Sequence, residues 1–151
     1  MYPREVSGRT ALDVGLGFGW SVGELLRRGF HVVTSIDPDL DVLRRFRGDL
    51  RLDLVAAVAE SLPFRDGAFD VVVSALALHH FDDVERALSE IARTARGVAY
   101  VVDYDGSGPS PHPRRFLAET ARRALEAGAK LGFKASRRDG YYVLYLQRRD
   151  F

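Results

Sequence analysis

The residues with the clearest chemical potential are three glycines, Gly15, Gly17 and Gly19, which follow an apolar run closed by a carboxylate, Asp13. Removing side chains at a strand-to-helix turn lets a ligand lie against the backbone and permits positive φ, so residues 12–19 predict a nucleotide-like ligand. A dinucleotide site asks for glycine or alanine at the sixth position of the motif, where the pyrophosphate approaches; here that residue is Trp20. Asp13 is a poor neighbour for a pyrophosphate and a good one for an ammonium group, so the ligand is expected to be cationic at that end. Asp37 closes the second predicted strand, 22 residues beyond Gly15. At that spacing an acid can accept hydrogen bonds from both hydroxyls of a ribose. Taken alone, Ser35-Ile36-Asp37-Pro38-Asp39 reads equally as a helix N-cap with proline in the first turn.

Candidates for accepting a proton are His79 and His80 after the fourth predicted strand, Asp103 and Tyr104 at the end of the fifth, and His112 in a proline-rich loop. The plainer reading makes the histidine pair a turn and packing element and His112 an ordinary loop residue. The chain has no cysteine, which removes thiol chemistry, and no second acid or thiol stands at ligand spacing, so no metal site is predicted. Net charge is +1 but uneven: residues 1–110 carry 12 basic and 17 acidic side chains, residues 111–151 carry 10 and 4. On the last predicted helix Glu119 with Arg123, and Arg122 with Glu126, make surface pairs. That leaves Arg114, Arg115, Arg137, Arg138, Arg148 and Arg149, which would meet an acidic substrate or RNA, or serve only as a solvated face and the fringe of an edge strand.

Apolar β-branched runs alternate along the chain with segments of helical period, the pattern of a parallel sheet covered by helices on both faces. The strands are predicted at residues 10–14, 31–36, 52–58, 69–75, 98–103, 133–136 and 141–147. The Asp139-Gly140 turn makes the final pair antiparallel. Helices are predicted at 20–28, 40–47, 82–96 and 114–127, with a core stripe of Leu117, Ala121, Ala124, Leu125 and Gly128 on the last. Each is followed by a glycine, at 29, 48, 97 and 128, as expected where a helix stops in a left-handed residue. The irregular stretch 104–113 follows the fifth strand, on the side where open α/β sheets bind ligands.

Four stretches resemble the motifs of class I S-adenosylmethionine-dependent methyltransferases, in particular the group that includes the ubiquinone and menaquinone biosynthesis enzymes. They are Ala11-Leu12-Asp13-Val14-Gly15-Leu16-Gly17-Phe18-Gly19, Ser35-Ile36-Asp37-Pro38, residues 59–74 beginning Ala59-Glu60-Ser61-Leu62-Pro63-Phe64, and Ala75-Leu76-Ala77-Leu78-His79-His80-Phe81. The likeness is strong over residues 10–96 and weaker beyond. It implies a three-layer α/β/α Rossmann-like methyltransferase fold with S-adenosylmethionine as cofactor. It also implies that Gly15, Gly17 and Gly19 line the methionine and ribose, that Asp13 holds the amino group and that Asp37 takes the ribose hydroxyls. Leu16, Pro38 and Leu62 would wall the adenine, the backbone of Ala59 and Glu60 would meet its edge, and Ser74 with Ala75 would lie beside the methionine. Val58 departs from the pattern, since many relatives place there an aspartate that accepts from adenine; one such hydrogen bond is worth about 1 kcal/mol. Few residues precede the first motif, where relatives usually carry helices over the cofactor. An open pocket completed by a second copy of the chain or a partner subunit is therefore expected.

With 151 residues, 46% hydrophobic and 28% charged, the chain fits one methyltransferase-type domain spanning 1–151. Met1-Tyr2-Pro3-Arg4-Glu5-Val6 lacks the start of a secretory signal and no apolar run approaches the roughly 20 residues of a membrane span, so a cytoplasmic protein without membrane contact is expected. Lys130 and Lys134 are the sole lysines; the arginine excess is consistent with a GC-rich or thermophilic source. Two functions remain open: methyl transfer to an unidentified acceptor, with a small molecule favoured, or a non-catalytic S-adenosylmethionine-binding subunit that regulates another protein. A nicotinamide-dependent enzyme is argued against by Trp20 and Asp13.

Overall fold

The run Phe69–Ala75 is buried at every position but the last. A strand without alternation needs cover on both faces, so it belongs at the centre of a sheet. In the computed structural model, which describes residues 2–148, this run is β4 of a seven-stranded sheet. The others are β1 (Thr10–Val14), β2 (Val32–Asp37), β3 (Leu52–Ala56), β5 (Ala95–Tyr104), β6 (Lys134–Arg138) and β7 (Tyr141–Gln147), in the order β3-β2-β1-β4-β5-β7-β6. The β3-β2-β1-β4-β5 pairings are parallel, and β7 runs antiparallel to both its neighbours. Asp139 and Gly140, with φ of 54° and 89°, make the β6–β7 turn that the Asp-Gly pair predicts.

Alternation along β1 divides the core into two layers. Leu12 and Val14 face a cluster with Leu88 and Ile91 of α3 (Val84–Thr94) and Ala121 and Ala124 of α4 (Arg114–Lys130). Ala11 faces a second cluster with Val22 and Leu25 of α1 (Trp20–Arg27) and Leu43 of α2 (Leu40–Arg44). Among the described residues no helix is long and apolar enough to cross a membrane.

Helix ends are where structure and expectation part. Helix α2 stops at Arg44 rather than residue 47, because Arg45 and Phe46 tighten into i→i−3 bonds with Val42 and Leu43. Helix α3 stops at Thr94 and passes into β5 without a loop, so Gly97 lies inside a strand. A cation does the work expected of a glycine there: the Arg148 guanidinium donates to the carbonyls of Ala92 (2.6 Å) and Ala95 (2.9 Å). Helix α4 runs through Gly128, whose bare Cα admits the buried Leu144, and is capped by Leu131 with the left-handed Gly132 after it: Phe133 donates to Gly128 and Gly132 to Ala129. The strands at 31–36, 52–58, 98–103 and 133–136 are each displaced or resized by a few residues at their ends.

Candidate functional site

The strand order reverses between β1 and β4, where loops leaving the carboxyl ends of adjacent strands diverge and leave a crevice. A cleft of about 590 Å³ lies there, walled by residues 15–21, 36–39, 58–60, 75–77 and 80–82, with Val42. Of the three glycines only Gly17 opens onto space, its added Cβ meeting nothing within 4 Å. A Cβ on Gly15 would stand 2.7 Å from Cβ of Ala77, and one on Gly19 would enter the ring of Phe46. Two of the three are thus demanded by the protein's own packing.

Asp37 is half-buried and lines the cleft; its carboxylate accepts from the amides of Gly17 (3.4 Å) and Asp39 (2.9 Å). The alternative reading of this stretch as a helix cap falls to Asp39, which accepts from Asp41 at the start of α2. Pro38, Val58, Ala59, Glu60, Ala75 and Leu16 also line the cleft, and the Glu60 carbonyl is held by Arg86 at 2.9 Å. Three residues expected at the cofactor, Asp13, Ser74 and Leu62, are not in the cleft wall. Ser74 is buried and donates to the Val14 carbonyl at 2.9 Å, a tie between β4 and β1, and Leu62 is in the core.

Asp13 lies beneath the cleft rather than in its wall, fully buried. Ser35 Oγ donates to its Oδ2 at 2.7 Å, while Oδ1 has no partner. Burial pushes its carboxyl up to about 7, partly offset by the hydroxyls of Ser35 and Ser21. Ser21, in the wall above, shares its hydroxyl with Tyr2.

A second cavity of about 400 Å³ adjoins the cleft and is lined by Tyr2, Trp20, Leu76, Tyr100, Val102 and Tyr141. Trp20 and Leu76 belong to both. Leu76 holds a left-handed φ of 56° at the end of β4, the kind of strained backbone that accumulates at ligand sites. The residues before β1 do not leave this side bare. Tyr2 packs 5.6 Å from Trp20 and 5.3 Å from Tyr100, ring centre to ring centre, and Arg28 grips the carbonyls of Tyr2, Pro3 and Val6. Of this cavity's lining, the sequence marks Trp20 by its place after the glycines and Leu76 by the fourth resembling stretch; the further signal is Tyr100 and Val102, two apart on one face of a strand.

The histidines are drawn together. The 3-10 turn Leu78–His80 buries His79, whose backbone N–H and Nδ1 both meet the Asp103 carboxylate at 2.8 Å. Its Nε2 is buried without a partner. His112, on the loop after β5, lies 4.6 Å from His79 and 5.2 Å from His80, centre to centre. His80 lines the cleft; burial first, then the adjacent His79 and His112, hold its imidazole below the ordinary range. Tyr104 lines neither cavity and stacks on Tyr141 at 5.4 Å. Arg114 and Arg115 are exposed at the start of α4. Arg137 stands 3.7 Å from Asp105, and Arg138 3.4 Å from Asp139, while Arg149 lies outside the described residues. On α4 the pair Arg122–Glu126 forms as expected, but Arg123 reaches Glu85 of α3 instead of Glu119.

Residues 12–102 match the family model described as a methyltransferase domain. Demethylmenaquinone methyltransferase of Renibacterium salmoninarum is 33% identical over 126 residues, covering 81% of this chain and 52% of that protein. Phthiotriol/phenolphthiotriol dimycocerosates methyltransferase 1 of Mycobacterium ulcerans is 33% identical over 126 residues, covering 80% and 46%. The chain spans about half the length of these curated relatives. Among solved structures, an S-adenosylmethionine-dependent methyltransferase of Mesorhizobium loti superposes with a TM-score of 0.73 at 20% identity, over 97% of this chain and 94% of that one. One of Aquifex aeolicus gives 0.74 at 18% identity, over 91% and 80%. These two establish the fold.

Proposed function

The chain belongs to the methyltransferase-domain family, and on that footing we propose that it moves a methyl group from S-adenosylmethionine to a small, largely apolar acceptor. The observation that carries this reading is the meeting of two cavities at Trp20 and Leu76, one backed by the glycine turn and Asp37, the other lined by aromatic rings. The residues fit the cofactor at three points. Gly17 leaves its backbone open to a ligand, Asp37 presents a carboxylate at the cleft, and Asp13 keeps one oxygen unpaired beneath it. Because that oxygen has no accessible surface, an ammonium reaches it only by displacing a neighbour, and Ser21, bonded to Tyr2, is one of those beside Asp13.

When bound, S-adenosylmethionine supplies a methyl group already activated by a sulfonium, so the protein's task is alignment and exclusion of water. Trp20 and Leu76 stand between cofactor and acceptor sites, and Tyr2, Tyr100, Val102 and Tyr141 hold the acceptor against a dry wall. Two relatives are named for demethylmenaquinone and for phthiotriol dimycocerosates, and the aromatic lining suits apolar acceptors of that kind. Phe18, 96% exposed beside the cleft mouth, supports completion of the site by a second copy or a partner subunit. Calorimetric titration with S-adenosylmethionine, S-adenosylhomocysteine and NAD tests the core of the reading. The first two should bind and NAD should not; failure of both to bind would sink it.

A further inference from the structure

We propose that His79, His80 and His112 form a binding site for a divalent transition cation of the zinc type. One ring nitrogen from each lies within 4.8 Å of those from the other two, although 32 residues separate His80 from His112 in sequence. The 3-10 turn after β4 and the proline-rich loop after β5 bring them together.

His79 carries the argument. A carboxylate can only accept, so Nδ1, held by Asp103 at 2.8 Å, bears the proton and Nε2 offers its lone pair. That nitrogen is buried and accepts from nothing. An orphaned acceptor in the interior is costly unless something fills the role. An imidazole fixed through one nitrogen by a carboxylate, with the other left bare, is the arrangement in which histidine ligates a metal. Asp103 is itself anchored by the amides of His79 and Tyr104, at 2.8 and 2.9 Å, so the ring is held before any ion arrives.

The donor set names the ion class. Three imidazoles without thiolate or carboxylate suit zinc, cobalt, nickel or copper and give little to magnesium or calcium, which prefer oxygen. Three protein ligands rather than four leave a coordination position open, as in zinc sites that bind water or substrate. His80 also lines the cleft, so the open position would serve an oxygen entering from that side. This last use rests on the methyltransferase reading; binding of the ion does not.

Chelator-stripped protein titrated with Co²⁺ supplies the test, read by the visible absorption of four-coordinate cobalt and by competition with Zn²⁺. One equivalent should bind, Mg²⁺ should not compete, and His112→Ala and His80→Ala should each weaken binding by about tenfold or more. His112 is half-buried on a loop, so its variant should keep the wild-type circular dichroism. Absence of a one-to-one complex, or undiminished affinity in both variants, would overturn the site. No S-adenosylmethionine enters this titration, so its outcome and that of the cofactor titration are independent.

Discussion

In the proposed cofactor site, burial and ligand binding pull the proton of Asp13 in opposite directions. Its folded pKa, raised to about 7 by burial, exceeds the ordinary carboxyl value, so the folded state holds a proton that the unfolded state has lost. Stability from this group therefore falls as pH rises from about 4 toward 7 and changes little above. Binding an ammonium group reverses the preference, since it favours the carboxylate. Cofactor affinity should thus rise with pH by up to about tenfold per unit below 7 and level off above it. Asp13→Asn keeps an oxygen for the Ser35 hydroxyl and removes the charge. It should make the free protein more stable at pH 8, flatten the pH dependence and weaken cofactor binding roughly 10- to 100-fold. Calorimetry and urea unfolding at pH 6 and 8 would show this, and an unchanged affinity would remove Asp13 from the site. The glycines divide in the same way. Gly17→Ala places a Cβ in open space at φ 51°, costing about 1–2 kcal/mol in backbone strain and impeding the cofactor. Gly19→Ala must also displace the Phe46 ring, so urea unfolding should show clearly the greater destabilisation. The motif displayed both glycines alike; only the packing around them separates the ligand-facing one from the structural one.

At the scale of elements, arginine does what local sequence rules assign to glycine and to turns. Arg148 takes the last carbonyls of α3, Arg86 takes Glu60 from the cleft wall, and Arg93 gathers the carbonyls of Leu62 and Phe64 together with Glu90 and Asp66. A planar guanidinium presents five donors in a fixed fork and so holds separate acceptors on both sides, whereas an ammonium offers three from a single point. The scarcity of lysine, attributable from composition to the source of the sequence, thus has a structural use at these positions. Arg93→Lys should destabilise the fold by about 1–3 kcal/mol, because carbonyls of the segment 62–64 lose their donors. Equilibrium unfolding measures this; a loss within error would mean the segment is held by packing and by the Leu62 amide's bond to Glu90 without these carbonyl contacts. These ties join residues some 30 to 50 positions apart, which is why α3 ends short of Gly97, while α4 runs past Gly128 because Leu144 packs against that glycine. A glycine signals that a backbone can turn, not whether a distant side chain makes the turn unnecessary.

Across the whole molecule, the sheet, its two covered faces and the antiparallel close were legible because each follows from periodicity within a short window. The glycine cleft was legible too, since its walls follow successive strands. The aromatic cavity and the histidine cluster were not, because residues 2, 20, 76, 100, 102 and 141 share no window and meet only through the sheet order. Tyr2 is the clearest case, a residue ahead of the first strand that packs at the junction of both cavities. Trp20 is the sole tryptophan and lies against it, so emission from Trp20 reports directly on that packing. Tyr2→Phe keeps the ring and frees Ser21, and should leave emission near that of the native protein while easing cofactor access to Asp13. Tyr2→Ala removes the wall. Emission should shift to the red as Trp20, already 49% exposed, gains water, and stability should fall by about 3 kcal/mol or more for the loss of a buried aromatic side chain. An unshifted spectrum in Tyr2→Ala would mean that the segment does not seat on Trp20 in solution. The aromatic cavity would then depend on some other surface for its cover.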